Sequence, residues 1–272
     1  MVDVNKFIAA ATEAEDLTKN QSSDFKPPVE GITFLRLRDY IELGKHKSKN
    51  PTYKPAYRVM LVFELLHPKH AIETENGKVP HTIRVSMNKG TTAKSGYKKL
   101  FNAMNRACGG GNTHIAQMIN KPMLGEVVHN KVGEGSEEQV FANLDVDGAW
   151  TFKPPVQVDA ITEETKTIPV PELHGKPRIF LWENNQLEES DIKEMWDSIF
   201  VEGEVTLGEG DNAKTVSKNR LQETIMENTE WEGSRTQAVV EGAIEVVGDG
   251  GADFAQLAEN ASTEESNAID DY

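Results

Sequence analysis

Four lysines surround one tyrosine in the twelve-residue stretch GKHKSKNPTYKP, where Lys45, Lys47, Lys49 and Lys54 lie about Tyr53. Just upstream, FLRLRDYIEL sets Arg36, Arg38 and Tyr40 at every second position. Further on come Arg84, in TIRVSMN, and Lys94 and Lys98, which flank Tyr97 in KSGYKK. Two kinds of chemistry belong to such groupings. Ammonium and guanidinium groups neutralise phosphates and release condensed counterions, and an aromatic face stacks on any base. Together they hold a single strand of nucleic acid without reading its sequence.

These groups need elements to position them. Phe34 to Leu43 alternates with the two-residue period of a half-buried strand, which sends Leu35, Leu37, Ile41 and Leu43 to a core. Phe34, Arg36, Arg38 and Tyr40 are then expected on the opposite face. The segment YRVMLVFELLH (Tyr57 to His67) is apolar on both faces and suits a central strand. TIRVSMN (Thr82 to Asn88) alternates again, with Ile83, Val85 and Met87 inward and Thr82, Arg84 and Ser86 outward. KSGYKKLFNAMNRA reads as a helix that buries Leu100, Phe101 and Met104 on one face. Beyond the Gly turn GGGNTHIAQMI, the segments PMLGEVVHNKV and QVFANLDVDGAWTFKP alternate once more, and Asp147-Gly148 marks a hairpin turn. Short strands with one helix between the third and the fourth predict a mainly β chain built on an OB-fold, a five-stranded, partly open barrel.

Charge divides the chain in two. Residues 1–132 carry 20 Lys+Arg against 12 Asp+Glu, a balance of +8, whereas residues 133–272 carry 9 against 32, a balance of -23. That asymmetry fits a polyanion-binding half followed by an acidic interaction tail. The single Cys108 rules out an internal disulfide, and MVDVNKFIAA has no signal-peptide pattern, so a soluble intracellular protein is expected. No cofactor or metal site is expected. The seven histidines show no metal-ligand spacing, and NKGTTAKSG lacks the Gly before Lys that a phosphate-binding loop requires. Asp145 and Asp147 as Mg²⁺ ligands of a nuclease or recombination enzyme form a rival reading, though turn chemistry accounts for DVDG more simply. An RNA-binding module is a second rival, because stacking and phosphate contacts do not demand a deoxyribose.

Five blocks in consistent order, from Phe25 to Ser234, carry a family likeness: FKPPVEGITFLRLRDYIELGKHK, VMLVFEL, IPVPELHGKPRIFLWENN, MWDSIFVEGE and SKNRLQETIMENTEWEGS. In them the chain resembles phage-encoded single-stranded-DNA-binding proteins. The resemblance implies an OB-fold core over residues 25–232 with peripheral helices, and a role in protecting single-stranded DNA during replication, recombination and repair in the cytoplasm of an infected bacterium. It also implies that the basic row on the first strand and the loop after it hold DNA.

Residues 1–24 read as an N-terminal arm and 233–272 as a linker and acidic tail ending in STEESNAIDDY. Such a stretch buries too little apolar surface to offset its ordering entropy. The resemblance implies a tail whose Glu264, Glu265, Asp270 and Asp271 compete for the cationic groove. Its Tyr272 docks a DNA polymerase, a helicase or primase, or a recombinase. Helical segments around Trp196, Ile199 and Phe200 are expected to pack on the barrel or across a homodimer.

Overall fold

The computed structural model describes residues 27–242 except 75–76, 134–138, 160, 183 and 208–212. The expectations for the N-terminal arm and for Glu264, Glu265, Asp270, Asp271 and Tyr272 lie outside the described residues. Among the described residues, no helix is long and apolar enough to cross a membrane. The chain clusters into two compact units, one holding residues up to Ile41 and Arg58–Ile179, the other Glu42–Tyr57 and residues from Phe180 on.

The first unit is mainly β. Its strands are β1 (Gly31–His46, whose last residues belong to the second unit), β2 (Ala56–Leu65), the hairpin β3 (Ala71–Thr74) and β4 (Gly77–Pro80), and β5 (Thr82–Asn88). Helix α1 (Gly96–Ala107) follows, then β6 (Pro122–Val132) and β7 (Gln139–Asn143). Short pairs complete it: β8 (Asp145–Val146) with β9 (Ala149–Trp150), and β10 (Val156–Val158) with β11 (Thr165–Thr167). The main sheet has the order β5-β2-β1-β6-β7, and β12 (Arg178–Phe180) also pairs with β1. β1 runs antiparallel to β6 from Gly31↔Val127 to Arg36↔Pro122, and β2 antiparallel to β5 from Arg58↔Asn88 to Glu64↔Thr82. The sheet is open: β5 and β7 end the path and no ladder joins them, so no closed barrel forms among the described residues.

Alternation explains the inner face. Leu35 and Leu37 from β1, Leu61 and Phe63 from β2, Ile83 from β5 and Met123 and Val127 from β6 are buried together with Phe152. Each such aliphatic or aromatic side chain contributes roughly 1.5–3 kcal/mol by leaving water. Close approach is enforced at Gly125, where an added Cβ falls 2.5 Å from a Leu35 methyl and 3.2 Å from the Phe152 ring. In chain order helix α1 falls between β5 and β6, the third and fourth strands of the five-strand path. Ser95 caps it by accepting from the Lys98 amide at 3.2 Å. The helix buries Tyr97, Leu100, Ala103, Met104 and Ala107, the repeat of one helical face.

The second unit has an aromatic core around α2 (Glu189–Ser198), with the hairpin β13 (Glu204–Leu207) and β14 (Lys214–Ser217), then α3 (Arg220–Met226) and α4 (Arg235–Val240). Trp196 stacks on Trp231 at 5.5 Å between centroids and tilts against Phe180 at 5.7 Å. Ile192, Ile199 and Ile225 fill the remainder, while Phe200, expected to pack, is half exposed. Of the AVVEGAIEVV segment, a candidate edge strand by its apolar content, residues 238–240 belong to α4 and those after 242 lie outside the described residues.

Candidate nucleic-acid interface

The outward row of β1 is not an open face. Arg36 is buried and its guanidinium is filled by carbonyls: Nε donates to Pro171 O at 2.8 Å, Nη2 to Val170 O at 2.9 Å, and Nη1 to Asn120 O. Glu172 completes the shell at 3.1 Å. Arg38 bridges Asp39 at 2.9 Å and Glu64 at 3.3 Å, and Arg178 joins the same Asp39 at 2.6 Å. Burial lowers the Arg38 pKa, but its bonds to Asp39 and Glu64 outweigh that and the net shift is upward. Glu64 also accepts the amides of His174 and Gly175, each at 2.9 Å. The segment Val170–Arg178 thus lies over β1 as a strap. At Gly175 the fit is close enough that a Cβ would meet Glu64 at 2.7 Å and Arg38 at 2.8 Å.

The aromatics divide the same way. Tyr40 is fully buried and Tyr97 nearly so, their hydroxyls 2.8 Å apart, and the Tyr40 ring meets His114 edge-on at 5.0 Å. Neither can stack on a base. They join β1 to the start of α1 and to the turn at His114. Tyr53 is 68% exposed on the β1–β2 loop. That loop is built by Asn50, whose side chain accepts from the Thr52 amide at 3.0 Å while its carbonyl accepts from the Tyr53 amide at 3.2 Å.

The cations of this loop, within the second unit, also separate. Lys45 is held by Glu230 at 2.8 Å and lies 5.4 Å from the centroid of Tyr57, whose hydroxyl donates to the same carboxylate at 2.8 Å. The bonds from Lys45 and Tyr57 hold the Glu230 carboxyl below its usual range. Lys45 therefore serves the fold. Lys47, Lys49 and Lys54 are exposed and pair with no carboxylate among the described residues.

Within the first unit, the outward row of β5 is open at Arg84 and Ser86, as expected, and also at Asn88, whereas Thr82, expected outward with them, is half-buried. Register sets Arg58 and Met60 of β2 opposite Asn88 and Ser86, so a second half-buried guanidinium shares this face. The start of α1 borders it, because Gly96 and Arg84 line one cleft. Lys94 is exposed, and Lys98 lies 4.6 Å from the centroid of Phe101, which is half-buried rather than core. Arg58 was missed by alternation and by motif, because the segment around it reads as apolar on both faces. The lysines and arginines further on carry a signal of their own: residues 76–125 contain eight Lys+Arg and no Asp or Glu.

Asp145 and Asp147 occupy a turn, with Asp145 Oδ2 accepting from the Gly148 amide at 2.9 Å and Asp147 at φ +51° ahead of Gly148 at +78°. Among the described residues, no group of three or more His, Cys, Asp or Glu converges as a metal-ligand set. Cys108 is half-buried and its thiol pKa is raised by burial. No protein-family model, curated protein or solved structure matches the chain.

Proposed function

We propose that this chain is a sequence-independent single-stranded-DNA-binding protein of phage type, active in genome replication, recombination and repair. The observation that carries the reading is the open cationic surface of the first unit, where Arg58 and Arg84 lie on one sheet face beside the start of α1, and where residues 76–125 supply lysine and arginine without acid. The loop Lys47, Lys49, Tyr53 and Lys54 of the second unit supplies an independent basic and aromatic element. Phosphate neutralisation accounts for affinity, and stacking on Tyr53 accounts for tolerance of any base.

The five strands, with a helix between the third and fourth of them in chain order, also support an OB-fold reading in which the seam between β7 and β5 stays open. The acidic end of the sequence fits self-competition for these cations and docking of a replication or recombination partner through Tyr272. Fluorescence anisotropy on labelled homopolymeric single strands, duplex and RNA, each over a salt series, tests the reading. The expected result is tight single-strand binding that weakens steeply with salt. Equal affinity for duplex and single strand, or a flat salt response, removes it.

A further inference from the structure

The open seam of the sheet leaves a cleft of about 390 Å³ between the β5 edge and the β7–β9 side, within the roughly 300–1,000 Å³ range of small-ligand sites. Its walls have a particular chemistry. Met87, Leu144 and Trp150 are apolar, and Arg84, Asn143 and Asp145 are polar. The Trp150 ring is backed by Phe152, stacked at 5.8 Å and 24°, and Phe152 is itself core. Paired main-chain bonds of 2.9 Å between Lys153 and Leu124 pin the segment that carries both rings to β6.

The indole is therefore held rigid beside an empty slot, and its N–H is buried with no hydrogen-bond partner among the described residues. A buried donor left unmet in a folded chain calls for a partner. Arg84 forms no ion pair there, and Asp145 has committed one oxygen, Oδ2, to the turn at Gly148.

Building on the single-strand reading, we propose that this cleft seats one nucleotide of the bound strand. The base lies against Trp150 with its ring carbonyl accepting the indole N–H, its exocyclic amino group donates to the remaining carboxylate oxygen of Asp145, and its phosphate meets Arg84. This arrangement selects among bases. Cytosine offers an amino donor, whereas the pairing edge of thymine presents one N–H between two carbonyl oxygens that a carboxylate repels. One such slot in a strand held mostly by its phosphates adds a modest preference without making the protein sequence-specific.

The test uses the full chain with dCMP and dTMP as probes, following the Trp150 indole N–H resonance, assigned through Trp150→Phe. Binding of dCMP is expected to be roughly ten-fold tighter than that of dTMP, the worth of one hydrogen bond to a charged group. Asp145→Asn keeps an oxygen for the Gly148 amide and adds a donor for thymine, so it is expected to erase the difference. Arg84→Gln is expected to weaken both nucleotides alike. Equal affinity for the two nucleotides in the wild type overturns the base contact, and an indole resonance that moves with neither overturns the site. Salt-dependent binding of homopolymeric strands is measured alongside. If that persists while neither nucleotide binds, the site falls and the single-strand reading stands. If dCMP binds and strands do not, the reverse holds.

Discussion

On β1 the outward row of Arg36, Arg38 and Tyr40 is closed over, each polar group matched by a carbonyl, a carboxylate or a hydroxyl from another element. On β5 the outward row of Arg84, Ser86 and Asn88 faces solvent. The two strands share the same period and both carry arginine at outward positions, and they belong to one sheet. What separates them is the strap Val170–Arg178, contributed from more than a hundred residues downstream. An arginine on a strand is available to a phosphate only if no other part of the chain has already satisfied it. Arg36 and Arg38 are accordingly structural, whereas Arg84 is exposed and forms no ion pair among the described residues.

The largest test of that division is Arg38→Ala. It strips Asp39 and Glu64, both buried, of a shared cation, and breaking a buried pair in this way costs about 3–5 kcal/mol. Arg84→Ala removes an exposed group and is expected to leave stability within about 0.5 kcal/mol while lowering affinity for single strands. Urea denaturation of both variants decides the point. If Arg84→Ala destabilises as much as Arg38→Ala, the open row is not open.

Acid sharpens the contrast through a group in the closed region. His70 is 1% exposed, neither ring nitrogen has a partner among the described residues, and its pKa is lowered to about 4 by burial and then by Lys69, His67 and His81. A depressed histidine is neutral in the native state, so its contribution is complete above the unfolded value of about 6.5 and declines as pH falls toward 4. The loss over that window is on the order of 3 kcal/mol. Stability is therefore expected to drop between pH 6.5 and pH 4 while the salt slope of DNA binding holds. His70→Gln should flatten the stability profile. A profile unchanged by that substitution places the acid sensitivity elsewhere.

Much of this fold is legible in the sequence, because alternation reports which residues share a face. Leu35, Leu37, Ile41, Phe63 and Ile83 are core as their spacing predicts, α1 falls in chain order between the third and fourth strands of the sheet, and Asp147-Gly148 makes its turn. Alternation cannot report what covers the other face. That is why Arg36, Arg38, Tyr40 and Tyr97 read as a DNA surface, and why Lys45, bonded to a glutamate 185 positions away, reads as free. The carboxylates Asp39, Glu42 and Glu64 inside strands were the available warning. A charge set into a strand that is otherwise apolar needs a partner of opposite sign. The acid-free run of residues 76–125 carries the converse signal, since cations without acids nearby in sequence have fewer local partners.

The tyrosines extend the comparison at smaller amplitude. Tyr53→Ala is expected to reduce single-strand affinity by about 1–3 kcal/mol, the range for a stacked base, with little change in the denaturation midpoint. Tyr40→Phe deletes a buried hydroxyl that meets Tyr97, so it should cost about 1 kcal/mol of stability and leave affinity alone. An affinity loss for Tyr40→Phe without a stability loss reverses the assignment of the two rings.

The smallest expected effect is also the most specific to electrostatics. Arg84→Gln keeps most of the side chain's length and polarity but removes one charge from the open row, so any loss should come through counterion release. For single strands each neutralised phosphate contributes a slope of about 0.7 in the logarithm of affinity against the logarithm of salt. Arg84→Gln is expected to make the slope shallower by about that amount, with the gap from wild type widest at low salt and closing as salt rises. Arg36→Gln offers the control from the closed row. Its guanidinium is already matched by Pro171, Val170, Asn120 and Glu172, so it neutralises no phosphate and the slope of whatever folded protein remains should equal the wild type's. Two equal slopes for Arg84→Gln and wild type, measured on the same homopolymer, would show that the β5 row meets no phosphate and move the salt dependence to the remaining cations, Arg58, Lys94 and Lys98 or the loop of Lys47, Lys49 and Lys54.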